Sequence, residues 1–350
     1  MRVTKKNEYE PPYIITPAIL HLVAEIGEAI GRYTMLAEQS LTPHLRRENR
    51  IRTIQASLAI ENNTLTLEQV TSVINGERVL GHPREIQEVR NAFAAYETMR
   101  EWKPTSLDHL LAAHGLLMSA LMDHPGLFRS GDVGIFRGEQ IVHMAPPANR
   151  VPHLMDQLLD WLKRTEEHPL VAGCLFHYEL EFIHPFADGN GRMGRLWQTL
   201  ILRNWKPLLA YLPVETLIRE RQEDYYRMLA QADERADITP FVEFMLKALH
   251  DAINEAVAAD QVGDHVTDQV ALLIEALGSG ELSGMDLMKA LGLSHRPTFR
   301  ENYLNRALAG GWIERTQPDS PRSPTQRYRL TRKGRRWLRG ALGVKSTFDL

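Results

Sequence analysis

Residues 184–191 read His-Pro-Phe-Ala-Asp-Gly-Asn-Gly, and this short run constrains the fold more than any other part of the chain. It separates two helical patterns. Upstream, Pro169 to Ile183 has a helical look. Downstream, Met193, Leu196, Trp197, Leu200 and Ile201 recur three and four residues apart, the period of a helix with one buried face. His184-Pro185 turns the chain, since the residue before a proline is pushed out of the helical region. Gly189-Asn190-Gly191 makes a tight loop that enters the second helix directly, with Asn190 where a helix N-cap belongs.

Most of the first 260 residues reads as helix in the same way. Apolar spacing marks Leu20 to Leu36, a helix opened by Thr42-Pro43 that stops near Asn62-Asn63, Thr66 to Ile74, Pro83 to Met99, Leu107 to Met122, and Pro152 to Leu162. Gly126 to Pro147 is glycine-rich and carries two β-type runs, Val133 to Phe136 and Gln140 to Val142, which predict a short hairpin. Asp251 to His265 reads as the end of a helix and a linker. Beyond it lie three helices (Val266–Leu277, Ser283–Leu291, Ser294–Leu308), a hairpin built from Gly310–Arg315 and Gln326–Leu330, and a basic helix from Thr331.

At ~150 residues per domain, 350 residues suggest about two domains. The charge agrees. Residues 265–350 hold 14 Lys and Arg against 8 Asp and Glu, a net of +6, and the remaining chain carries a net of −9. A basic segment on an acidic body suggests modules with different partners. The single cysteine, Cys174, excludes an internal disulfide. No apolar run approaches the ~18–20 residues of a membrane span, and residues 1–12 hold no apolar signal core. A cytoplasmic protein without a membrane partner is expected.

Each part of the loop has a chemical reading. Glycine-flanked backbone at a helix N-terminus leaves N–H groups open to an anion. Arg192 and Arg195, three apart, point to one side and can clamp successive phosphates. Asp188 offers the hard oxygen that Mg²⁺ takes alongside substrate phosphates. His184 suits proton transfer near neutral pH. Gly189-Asn190-Gly191-Arg192-Met193-Gly194 also fits a dinucleotide fingerprint, but that motif needs a preceding strand, and a helix precedes it here. No lysine follows a glycine, so there is no Walker loop, and no His-Glu-x-x-His occurs.

Taken together, His184, Phe186, Asp188, Gly189, Asn190, Gly191, Arg192 and Arg195 match every fixed position of H-x-F-x-[D/E]-G-N-G-R-x-x-R, and the stretch resembles the signature of the Fic family. The resemblance implies a mainly α fold: a Fic helical core with a short β-hairpin flap at about 136–147. It further implies transfer of AMP from ATP to a Ser, Thr or Tyr hydroxyl of a target protein, with ATP as co-substrate and Mg²⁺ as cofactor. His184 would be the base and Asp188 the metal ligand. The 189–195 segment (Gly189, Asn190, Gly191, Arg192, Met193, Gly194, Arg195) would hold the nucleotide, and Phe186 would anchor the loop. Val142 and His143 fall on the flap. Tyr225 and Tyr226 fall where the family places residues against the nucleoside. Removal of AMP, transfer of another nucleotide, and nucleotide sensing by a transcriptional regulator stay open as alternatives.

Ser57-Leu-Ala-Ile-Glu61-Asn62 resembles the family's inhibitory pattern [S/T]-x-x-x-E-[G/N]. A glutamate presented to Arg195 would pair with it and deny it to the γ-phosphate. The expected organisation is an N-terminal helical region 1–110 with the inhibitory helix at about 43–62, a catalytic core 111–255, and a winged helix-turn-helix domain 266–350. In that domain the helix from Ser294 to Arg306 and a wing with Arg315, Arg322, Arg327 and Arg329 would suit DNA phosphates. Whether it takes DNA or protein is open, as is homodimer formation.

Overall fold

The computed structural model describes residues 9–40, 43–137, 140–262, 268–278, 280–318, 320, 323 and 325–341. The chain divides into two compact units, Met1–Gly31 with His44–Glu255, and Arg32–Pro43 with Ala256–Leu350. Among the described residues no helix is long and apolar enough to cross a membrane.

The larger unit is helical. In order come α1 (Pro17–Ser40), which belongs to the smaller unit from Arg32 on, α2 (Pro43–Ile60), α3 (Leu67–Ile74), α4 (Pro83–Thr98), α5 (Leu107–Leu117), α6 (Val151–Arg164), α7 (Pro169–Ile183), α8 (Asn190–Trp205), α9 (Val214–Glu220), α10 (Gln222–Arg235) and α11 (Thr239–Val262), which belongs to the smaller unit from Ala256 on. Local chemistry sets several starts. Thr66 and Gln69 form a reciprocal capping box ahead of α3. His82 accepts from the Arg84 amide, with Pro83 in the first turn of α4. α7 is buried from Leu170 to Leu180 and again at Ile183, as a helix at the centre of a core must be. α8 packs along it, and Phe176, Leu180, Phe186, Trp197 and Leu200 between them are fully buried.

α5 is shorter than its apolar run predicts. It ends at Leu117, not Met122, because the Asn91 side chain donates to the carbonyls of Leu117 (3.1 Å) and Ser119 (2.7 Å). Ala120 then adopts a left-handed φ of 59°. The expected hairpin is present: β1 (Gly134–Arg137) pairs antiparallel with β2 (Gln140–Met144), with an irregularity between Ile135 and Phe136.

The smaller unit holds α12 (Asp268–Leu277), β3 (Glu281–Ser283), α13 (Gly284–Ala290), α14 (Arg296–Phe299), a π-turn (Arg300–Leu304), α15 (Asn305–Ala309), β4 (Ile313–Arg315), β5 (Arg327–Leu330) and α16 (Arg332–Ala341). The sheet order is β3-β5-β4, antiparallel throughout. Leu273, Ile274, Leu287, Phe299, Trp312, Ile313 and Leu330 form its core. This is the layout of a winged helix-turn-helix. The wing differs from expectation in charge. Arg329 pairs with Glu314 (2.7 Å) and Glu281 (3.4 Å), and Arg327 donates to the Glu281 carbonyl. Arg322 lies outside the described residues.

Candidate active site

The loop between α7 and α8 is built by its backbone. His184 terminates α7 in the left-handed region (φ 49°, ψ 58°). Gly189 is the N-cap of α8 at φ 85°, and a Cβ there would strike Met118 Sδ at 2.7 Å, so glycine is required twice over. The cap is therefore Gly189 and not Asn190, as the sequence suggested. The Asn190 side chain is buried and used elsewhere. It accepts from the Phe186 amide and donates to the Phe186 carbonyl, both at 2.9 Å. It shapes the loop and is not free to meet a phosphate. The first-turn amides of Asn190, Gly191 and Arg192 have no carbonyl one turn back, and these three are what the loop offers an anion. Met193 donates its amide to the Gly189 carbonyl and buries its side chain, so it offers nothing. Gly194 leaves room for the ring of His177.

Under the loop, Phe186 stacks on His114 with ring centroids 3.7 Å apart. His114 Nδ1 accepts from the Gly126 amide (2.8 Å), which leaves Nε2 to donate to the Asp188 carbonyl (3.0 Å). Burial lowers the pKa of His114 and keeps it neutral for this role.

Arg195 is buried to 2% exposure and bonded through Nε and Nη2. It donates from Nε to Ser57 Oγ (3.0 Å), and from Nη2 to the Ser57 carbonyl (3.0 Å) and to Glu61 Oε1 (2.7 Å). Ser57 and Glu61 come from the end of α2 and the turn after it, where Asn62 takes a left-handed φ of 67°. Any side chain at Gly191 would collide with Glu61 Oε1. The Glu61 carboxylate thus sits on the first turn of α8 as well as on Arg195. The electrostatics beneath are acidic. Burial pushes Glu181 and Glu215 up to about 7, despite the attraction of Arg195. Glu215 meets Tyr96 Oη (3.1 Å) and Thr199 Oγ1 (3.4 Å), while its Oε2 has no partner.

Asp188 stands at the mouth. Its Oδ1 accepts from the Gly189 amide (2.6 Å) and from Arg192 Nη2 (3.1 Å), and its Oδ2 from Arg84 Nη2 (3.0 Å). Glu88 completes the ring with Arg192 (3.3 Å) and Arg84 (3.6 Å), and also accepts from Asn63 in the turn after α2 (2.8 Å). Arg84 and Glu88 were not legible as site residues. They lie four apart on one face of α4, an ordinary surface pair in sequence. Among the described residues no cluster of three or more His, Cys, Asp or Glu side chains is arranged for a metal. A single half-exposed carboxylate beside the open first-turn amides of α8 still fits Mg²⁺, which takes one or two carboxylates and completes its shell with phosphates and water.

His184 is only part-buried. Its Nδ1 lies 3.3 Å from the Glu181 carbonyl, so Nδ1 carries the proton and Nε2 is the free lone pair. Burial lowers its pKa to about 4, and the ring is neutral at pH 7. Arg129, another residue missed in the sequence, fixes the His184 backbone. Its guanidinium donates to the carbonyls of His184 (2.7 Å), Gly131 (2.9 Å) and Pro146 (2.5 Å), joining His184 to the hairpin. His143 on β2 faces Asp233 Oδ2 with Nδ1 and the Phe182 carbonyl with Nε2, both at 2.9 Å. Its ring ties the hairpin to α10 and the end of α7 instead of reaching a nucleotide. The Val142 side chain lies outside the described residues. Tyr225 is buried at 1% exposure, donating to His177 Nε2 (2.9 Å) within an aromatic cluster with Phe241. It is core and cannot line a nucleoside pocket; Tyr226, half-exposed beside the Ile60 carbonyl, can.

Residues 104–202 match the model of the Fic/DOC family, and residues 268–331 match that of the Fic-like protein C-terminal domain, "Filamentation induced by cAMP protein Fic-like". A crystal structure of a Fic family protein from Desulfovibrio desulfuricans G20 is 77% identical, with a TM-score of 0.71 over 92% of this chain and 98% of that one. Curated relatives named protein adenylyltransferase Fic include those of Nematostella vectensis (28% identical over 60% of this chain and 49% of the relative) and Drosophila mojavensis (30%, over 65% and 45%). The chain spans about half the length of the curated relatives it matches.

Proposed function

This chain belongs to the Fic family, and from that membership we propose that it is a self-inhibited adenylyltransferase, moving AMP from ATP to a hydroxyl side chain of a target protein. The observation that carries the reading is the Glu61 carboxylate seated on Arg195 and on the first turn of α8, contributed from 134 positions away in sequence. A carboxylate held there marks the spot as an anion site and also blocks it.

In the active form the amides of Asn190, Gly191 and Arg192 receive a phosphate of the nucleotide. Arg195, released from Glu61, orients the γ-phosphate. Neutral His184 takes the proton of the target hydroxyl on Nε2 as the oxygen attacks the α-phosphorus, and pyrophosphate leaves. The approaching phosphates favour the imidazolium, which raises the low pKa of His184 toward the working pH. Asp188 would hold Mg²⁺, which supplies charge neutralisation for the phosphates. Arg129 and His143 keep the hairpin against the end of α7, so that a target segment added to its edge presents a hydroxyl to His184.

For the smaller unit we infer binding to duplex DNA. Its net positive charge and the exposed Arg296, Arg300 and Arg306 on the helix after α13 support this. The enzymatic reading is tested with two radiolabels. The Glu61→Gly variant, incubated with Mg²⁺ and cell lysate, should transfer label to protein from α-labelled ATP and not from γ-labelled ATP. Label arriving from the γ-position would make the enzyme a kinase.

A further inference from the structure

We propose that Arg84 is a reserve cation for Asp188: it neutralises the carboxylate when nucleotide enters without a divalent metal, and swings away when the metal arrives. The proposal rests on the reading of Asp188 as the metal carboxylate and deepens it. Asp188 lies at the entrance of a loop whose free amides and arginines draw in polyphosphate, and an unneutralised carboxylate there would repel it. Two guanidinium groups now balance that charge together with the charge of Glu88, and they differ. Arg192 is 6% exposed on its side chain and wedged between Asp188 (3.1 Å) and Glu88 (3.3 Å). Moving it would bare buried charge. Arg84 is 48% exposed, and beyond Asp188 (3.0 Å) it holds only the Leu121 carbonyl (3.2 Å) and, loosely, Glu88 (3.6 Å). A half-exposed pair of this kind is weak and exchangeable. It also sits on Oδ2, the oxygen that the Gly189 amide and Arg192 leave open. Metal and guanidinium therefore crowd the same carboxylate oxygen, and Asp188 faces the phosphates with Arg192 and one further cation in place.

This exchange gives a signature that a phosphate ligand or a structural prop does not. Calorimetric titration of ATP into the full chain is run twice, with EDTA and with excess Mg²⁺. Arg84→Ala should bind metal-free ATP roughly three- to tenfold more weakly than wild type, yet bind Mg²⁺·ATP as tightly or more tightly. Arg84→Lys should restore metal-free binding. Arg84→Gln, which keeps the packed stem, should give the same split if the alanine variant melts early. Equal loss in both titrations, or no change in either, overturns the proposal. If wild type binds neither form, the nucleotide reading of the loop fails, and the proposal with it.

Discussion

Single residues set how the site responds to pH. His184→Ala should leave ATP binding largely intact and abolish transfer, because proton removal matters only in the chemical step. Equilibrium ATP binding and α-label transfer on the same sample check this. Glu215 carries a second expectation. Its pKa is raised to about 7 in the fold, so between its unfolded value and 7 the native state binds more protons than the unfolded state. Its contribution to stability is full at low pH and lost as pH rises through 7. Glu215→Gln should therefore gain in melting temperature relative to wild type between pH 5.5 and 8; a constant difference would mean that the fold does not raise the pKa of Glu215. His177 and His184, lowered to about 4, act in the opposite direction and destabilise the fold as pH drops below 6.5. At this scale the 184–195 signature and Glu61 were legible because spacing and residue type carry them. Arg84, Glu88 and Arg129 were not, since nothing local says which loop a surface guanidinium or carboxylate will meet.

Elements show where periodicity suffices and where it fails. α4, α7 and α8 follow from apolar spacing and capping residues within a few positions. α5 stops early because Asn91, 26 residues upstream of its end, competes for its carbonyls, a tertiary effect that no local pattern records. β3 escaped notice because three residues hold no alternation, and its pairing with β5 is what makes it a strand. Asn190 was misassigned as a cap because Asn suits that position in general, whereas here Gly189 takes the left-handed backbone and frees Asn190 to bind Phe186. The loop is accordingly intolerant. Gly189→Ala meets both the φ of 85° and Met118, and should lose roughly 1–3 kcal/mol of stability. Denaturant unfolding reads it, and an unchanged midpoint would show that the turn relaxes freely.

At the scale of the whole molecule, the unit with the proposed nucleotide site is followed by a basic module. With Arg329 paired to Glu281 and Glu314 and Arg327 held on the Glu281 carbonyl, the three exposed arginines after α13 are the phosphate contacts proposed for this unit. DNA affinity of the full chain should fall with salt at a log–log slope of about −3. Arg296→Ala with Arg300→Ala should flatten it, and a slope of zero in wild type would assign the unit to protein contacts. That division of charge was visible in sequence, whereas the contacts of Arg327 and Arg329 with Glu281 were not, because they depend on β3. On the proposed reading, Glu61 holds the enzyme off. Replacing it removes one charged hydrogen bond to a buried guanidinium, worth about 1–3 kcal/mol, so the active population should rise roughly ten- to a hundredfold. The measurement is transfer of α-label by wild type and Glu61→Gly at matched ATP and Mg²⁺, with Glu61→Gly/Arg195→Ala alongside. A rise of that size in the single variant, lost in the double, is the expected result; equal labelling by wild type and Glu61→Gly would contradict it.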